Sequence, residues 1–234
     1  GRAKGLLRWL LLRRTTHLVV QTVRIKDFYS AKLQSRTTII PNPVTDKVFS
    51  LTPTLKQKRI IAVGRLAYQK NYPMMFRAFA RVHHDFPDWQ LVVYGNGPQK
   101  DEIRGVIERL GMEGHIILAG KSDHVVEEMN KSSLFVMSSD YEGMSNALLE
   151  AVCVGLPVIS TDVSGARDLI TEGVNGYIVP VGNERALTLA LSSMLSSPEK
   201  MDEMGRQSKA LAPRFREEQI VGQWEELIKK VVRQ

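Results

Sequence analysis

Short apolar runs alternate along most of the chain with segments whose apolar residues recur at helical spacing. Runs at 60–63, 91–94, 116–118, 134–137, 157–160 and 176–179 have the length and nearly unbroken apolar character of strands buried on both faces. Helical patterns occupy 74–83 (Phe76 and Phe79 inward), 99–110, 125–131, 147–154, 184–195, 199–210 and 217–231, with a helical turn at 167–170. Strands separated by crossover helices predict an α/β fold built on a doubly wound parallel sheet. Ahead of it, 17–22 reads as a strand, 24–33 as a helix and 37–40 as another strand. Pro41-Asn42-Pro43 and the polar stretch up to Lys58 mark a connection. The chain contains no internal repeat and no low-complexity tract.

The unit at 134–154 carries the most chemistry. A strand, Leu134-Phe135-Val136-Met137, runs into the polar loop Ser138-Ser139-Asp140-Tyr141-Glu142-Gly143-Met144, and a helix follows, closed by Gly155 and Pro157. Either Ser145 or Asn146 suits the N-cap, which leaves backbone N–H groups and the positive end of the helix dipole facing the loop. That arrangement attracts anions. Two carboxylates frame it: Glu142 in the loop, and Glu150 one turn beyond Asn146 on the same helix face. Acids accept hydrogen bonds from vicinal sugar hydroxyls, so a ligand with a negative middle and hydroxyls at both ends fits, as in a nucleotide sugar. The ordinary alternative is a solvated loop acid and a surface helix residue. Against it stands the location, since open α/β sheets bind ligands at the carboxyl ends of their strands.

Glu142-Gly143-Met144-Ser145, Glu150-Ala151 with seven residues between Glu142 and Glu150, and Gly155-Leu156-Pro157-Val158-Ile159-Ser160-Thr161 resemble the retaining family-4 glycosyltransferases of the GT-B fold. The resemblance implies a Rossmann-like C-terminal half of that fold with a remnant of the N-terminal domain. On that reading 1–40 is the acceptor-domain remnant, 41–58 a linker, 59–214 the donor-binding domain, and 215–234 a helix that packs back on the N-terminal domain. The opening glycine agrees with a fragment of a longer protein. The family's Gly-Arg-Leu and following Lys match Gly64-Arg65-Leu66 and Lys70, which implies that Arg65 and Lys70 hold the donor diphosphate while Gly64 lets the backbone approach it. Residues Gly143, Met144, Ser145, Asn146 and Ala147 would line the phosphates and sugar, Glu150 would bind the ribose, and Glu142 the donor sugar. Lys121 and Ser122, after the third strand of the main domain, would lie near the base. Catalytic roles then fall to Glu142, Arg65 and Lys70, chiefly through stabilisation of the leaving diphosphate.

The implied activity is transfer from a nucleotide-diphosphate sugar, UDP-linked by preference, to a glycan or lipid-linked acceptor. Configuration would be retained, no cofactor or metal required, and the setting bacterial polysaccharide biosynthesis. Alternatives are a nucleotide-sugar-binding module without turnover and a GT-B-fold sugar-nucleotide epimerase. The sugar, base, acceptor and linkage are not fixed by these residues. Many members carry Glu where this chain has Asp168, so the role of that position is open.

Other chemistry is disfavoured. Gly95-Asn96-Gly97-Pro98 lacks the third glycine of a dinucleotide fingerprint, Lys100 standing there instead. The five histidines show no zinc spacing, and neither a Gly-x-Ser-x-Gly elbow nor a Walker lysine loop occurs. Cys153, the only cysteine, lies in an apolar helix end, which excludes an intrachain disulfide and suits a buried thiol in a reducing, cytoplasmic compartment. Net charge is +7, but residues 1–36 hold nine Lys/Arg against Asp27, so that end carries +8 and the remainder −1. Its leucines, Trp9 and arginines predict an amphipathic cationic helix over 1–14, too broken by charge to span a bilayer. Packing inside the protein or peripheral contact with an anionic membrane face are its two readings. Nucleic acid is disfavoured, because no aromatics interleave with the basic residues.

Overall fold

The computed structural model describes residues 11–232 except 13 and 53. It opens with a two-stranded parallel sheet, β1 (Leu18–Val20) and β2 (Thr37–Ile39), joined through α1 (Val23–Asp27) and α2 (Ala31–Gln34). The sequence predicts one helix over 24–33; two form because Ser30 takes an extended backbone (φ −62°, ψ 154°) and starts a second. Gln34 Nε2 then donates to the carbonyls of Asp27 and Tyr29 at the break. Most of the basic segment expected at 1–14 lies outside the described residues. No described helix is long and apolar enough to cross a membrane.

The main sheet comprises β3 (Arg59–Val63), β4 (Gln90–Tyr94), β5 (Ile116–Gly120), β6 (Leu134–Met137), β7 (Val158–Thr161) and β8 (Gly176–Val179). All pair in parallel, in the order β5-β4-β3-β6-β7-β8. Its helices are α3 (Tyr72–His83), α4 (Lys100–Arg109), α5 (Val125–Lys131), α6 (Asn146–Val154), α7 (Ala166–Leu169), α8 (Glu184–Leu195), α9 (Pro198–Leu211) and α10 (Glu217–Val232). Strand order reverses between β3 and β6, the position at which open α/β sheets place their ligand crevice.

Side chains alternate across the strands and build two cores. Ile60, Ala62, Leu134 and Val136 join Phe76, Phe79, Leu187 and Leu191 on one face. Ile61, Phe135 and Met137 join Leu148, Val152 and Phe215 on the other. Cys153 is fully buried in this second core. The smaller sheet is fixed to the main one through the loop after β7. Arg24 pairs with Asp162 at 2.9 Å, Thr22 and Ser164 share a hydroxyl bond of 2.7 Å, and Asp168 Oδ1 accepts from Val23 N at 3.0 Å. Asp168 thus meets one of the N–H groups that open α1, and Thr22 Oγ1 accepts from Ile25 N at 3.2 Å. Ile220 and Leu227 of α10 cluster with Ile40 and Val19 beside the small sheet. Where the chain leaves that sheet, Val44 N donates to Phe215 O at 2.9 Å, which binds the connection to the segment between α9 and α10.

Candidate functional site

The loops after β3 and β6 meet at the crevice. Beyond β3 the chain turns at Gly64, forms a single 3-10 turn at Tyr68–Lys70, and enters α3 through Asn71, whose φ of 46° is left-handed. Asparagine tolerates that region better than other side-chain-bearing residues. The turn folds Lys70 back over Gly64, where an added Cβ would lie 2.9 Å from Lys70 Cε and 3.1 Å from Tyr72 Oη. Lys70 Nζ donates to Glu142 Oε1 at 2.6 Å, and Ser139 Oγ donates to the same oxygen at 2.8 Å. The ion pair is mostly withdrawn from water, Lys70 being 15% and Glu142 10% exposed. Glu142 Oε2 has no partner among the described residues. One oxygen is held by the protein and the other is not.

The two loops are tied along their length. Asp140 N donates to Gln69 O at 2.8 Å, and Gln69 Nε2 to Tyr141 O at 2.7 Å. Asn71 Nδ2 reaches Asp140 Oδ1 at 2.8 Å, and Ser138 Oγ reaches Lys70 O at 2.7 Å. Thr161 Oγ1 donates to Ser139 O at 2.6 Å and anchors the β6 loop to β7. Below them Tyr72 Oη donates to Gly64 O at 3.0 Å. Burial, then the Glu142 charge, pushes this phenol above its ordinary value, so it stays a protonated donor.

Gly95-Asn96-Gly97-Pro98 seats the β3 loop from the other side. A Cβ at Gly95 would overlap the Gly64 carbonyl, and one at Gly97 would overlap the Leu66 carbonyl. Leu66 N donates to Asn96 O at 3.0 Å, and Gln99 N to Leu66 O at 3.1 Å. The glycines therefore serve close approach of one loop to another.

Helix α6 begins at Asn146, and Ser145 is its N-cap: Ser145 Oγ accepts from Leu148 N at 3.4 Å. Met144 and Ser145 are buried, Ala147 half-buried, and Gly143 and Asn146 exposed. One turn along, the half-buried Glu150 makes no hydrogen bond or ion pair among the described residues, and burial raises its carboxyl above the usual range. Arg65 and Lys121 are exposed and likewise unpaired, whereas Ser122 Oγ accepts from His124 N at 3.0 Å. The structure thus joins Gly64, Lys70 and Glu142 directly and sets 143–147 at the start of α6. Lys121 and Ser122 follow the edge strand β5, with no hydrogen bond to either crevice loop. Ser139, Gln69, Asn71 and Tyr72 were not singled out as site residues by sequence; only Asn71, an asparagine just before a helix-opening Tyr-Pro pair, carries a local signal. Among the described residues, no group of three or more His, Cys, Asp or Glu could hold a metal ion.

This fold is the α/β half of a GT-B glycosyltransferase. The chain belongs to the family Glycosyl transferases group 1, which its residues 44–211 match. It is 33% identical over 220 residues to an exopolysaccharide phosphotransferase of Streptomyces coelicolor, covering 92% of this chain and 23% of that protein. It is 35% identical over 162 residues to the N-acetylgalactosamine-N,N'-diacetylbacillosaminyl-diphospho-undecaprenol 4-alpha-N-acetylgalactosaminyltransferase of Campylobacter jejuni, covering 69% of this chain and 44% of that enzyme. The chain spans less than half the length of either relative. Among solved structures, Anabaena HepE in complex with UDP superposes with a TM-score of 0.85 at 20% identity, over 94% of this chain and 65% of that one.

Proposed function

We propose that the chain is the donor-binding part of a glycosyltransferase that moves a sugar from a nucleotide-diphosphate sugar, UDP-linked by preference, to a glycan or lipid-linked acceptor. The observation that carries this is Glu150: an acid half-buried without a partner, one turn from a helix N-terminus, suits hydroxyl donors such as those of a ribose. Arg65 and Lys70 would flank the diphosphate, Glu142 would offer Oε2 to the sugar hydroxyls, and Lys121 and Ser122 would border the base. As the bond to the anomeric carbon breaks, negative charge grows on the leaving diphosphate. Two cations and the α6 N-terminus placed beforehand would stabilise it without reorganisation. Retention through front-face attack, independence of cofactor and metal, and a cytoplasmic site with a peripheral membrane contact complete the reading. So does the division into acceptor remnant (1–40), linker (41–58), donor domain (59–214) and returning helix (215–234).

The test is calorimetric titration with UDP, GDP and ADP, with Glu150→Ala and Arg65→Ala as controls. Binding of one nucleotide, weakened by both changes, is expected; no binding by folded protein would remove the reading. The similarity to a phosphotransferase favours a second reading, transfer of a phosphosugar. Products separate the two in a protein containing this chain and its acceptor domain, because sugar transfer releases a nucleoside diphosphate and phosphosugar transfer a monophosphate.

A further inference from the structure

Pro41-Asn42-Pro43, at the exit from the small sheet, sends a side chain into the crevice. Gln21 Nε2 donates to Asn42 Oδ1 at 2.5 Å, and Asn42 Nδ2 donates to Asn146 Oδ1 at 2.7 Å. The amides form a directed chain from the end of β1 to the first residue of α6. Each link occupies the next oxygen, so Asn146 has its carbonyl oxygen engaged. Both its Nδ2 hydrogens lack an acceptor among the described residues, at the positive end of the helix.

The donor in this chain is held stiffly. Proline fixes its own φ and lacks an N–H, and Pro43 restricts Asn42 to the extended region. The next residue, Val44, is pinned through its N–H to Phe215 O at 2.9 Å. By contrast, an asparagine at a helix start turns its terminal amide readily, since that torsion is broad and roughly two-fold. Turned one way it offers an anion two donors; turned the other, a repelling oxygen.

We infer that Asn42 is a positioning residue for the anion site: by engaging Asn146 Oδ1 it directs the Asn146 Nδ2 donors to a nucleoside diphosphate at the N-terminus of α6. This rests on the reading of that terminus as the diphosphate site. It adds a residue of the connection to the determinants of affinity, and it links the seating of the small sheet to the state of the crevice.

A double-mutant cycle tests it. Asn42→Ala and Asn42→Asp are made in the unaltered chain and in Asn146→Ala, with thermal melting to establish folding. Each is titrated calorimetrically with UDP, GDP and ADP. Asn42→Ala is expected to weaken the bound diphosphate by about threefold, and Asn42→Asp by about tenfold, the scale of one hydrogen bond. Aspartate only accepts, so it would turn the Asn146 oxygen towards the phosphate. In Asn146→Ala the Asn42→Ala effect is expected to vanish, and the Asn42→Asp effect to shrink to the repulsion between its charge and the ligand. Equal losses in both backgrounds would overturn the inference while leaving the binding reading intact. No binding by the unaltered chain would overturn both.

Discussion

Lys70→Met breaks the ion pair at the crevice while keeping the aliphatic stem that covers Gly64. The pair is 2.6 Å long and its members are only 15% and 10% exposed. Removing one member of a fully buried pair costs about 3–5 kcal/mol, because a charge is left without its counter-ion. Here the loss is smaller, because Ser139 Oγ still donates to Glu142 at 2.8 Å. A destabilisation of about 2 kcal/mol follows, which for a domain of this size lowers the melting temperature by about 4–8 °C. Glu142→Gln added to Lys70→Met removes the stranded charge and keeps an acceptor for Ser139. The double variant is expected to recover at least about 1 kcal/mol. Urea denaturation followed by circular dichroism measures both. A loss below about 0.5 kcal/mol for Lys70→Met, or a double variant no more stable than Lys70→Met, would refute the view that this pair holds the crevice.

Gly95→Ala is expected to cost at least about 2 kcal/mol, since Gly95 has a φ of 151° and its new Cβ would strike the Gly64 carbonyl; denaturation midpoints check this. Glu150→Gln is expected to raise the melting temperature while weakening nucleotide binding, because burial raises the Glu150 carboxyl and the charge has no partner. A stability loss there would contradict the assignment. His83 gives an acid-sensitive contribution: burial, then the His115 charge, lowers its folded value below 6.5. Its Nδ1 is buried without a partner, and its ring lies 4.2 Å from that of His115. The unfolded chain therefore takes up the proton first, so the full contribution is present above pH 6.5 and is lost as pH falls towards the depressed folded value. Urea midpoints at about pH 7.5 and 5.5 are expected to differ more for the unaltered chain than for His83→Gln.

The sheet was legible because strands buried on both faces leave unbroken apolar runs, and 125–131, 134–137, 176–179 and 184–195 form as read. The break at Ser30 was not, because Phe28 and Tyr29 fit a helix, and a serine, though a favoured N-cap, also occurs within helices. Strand order is also invisible in periodicity: β3 and β6 become neighbours through a register that pairs Ile60 with Leu134 and Ile61 with Phe135. The site divides in the same way. The α6 cap and the acids around it follow from local pattern. Lys70 and Glu142 lie 72 positions apart, and Asn42 and Asn146 104 apart, so neither contact has a signature within any window of sequence. The family resemblance assigned Lys70 to phosphate and Glu142 to sugar separately; that each holds the other comes from the fold.

That contact sorts the crevice residues by physical role. Ser139, Asn71 and Gly95 bond to or pack against other protein groups and hold the loops in place; Lys70 does so through one bond to Glu142 and keeps its other ammonium donors. Arg65 and Glu150 have theirs unfilled, and Asn146 keeps its amide donors unfilled. A polar group buried without a partner lowers stability, so the half-buried Glu150 is the one whose charge an outside hydroxyl donor would relieve, whereas Arg65 and Asn146 are exposed to water. Substituting a loop-holding residue should therefore lower stability, and affinity with it. Substituting an unfilled one should lower affinity at unchanged or greater stability. If Arg65 and Glu150 variants unfolded as readily as the Lys70 variant, these side chains would be part of the scaffold, and the crevice would lose its claim to a ligand.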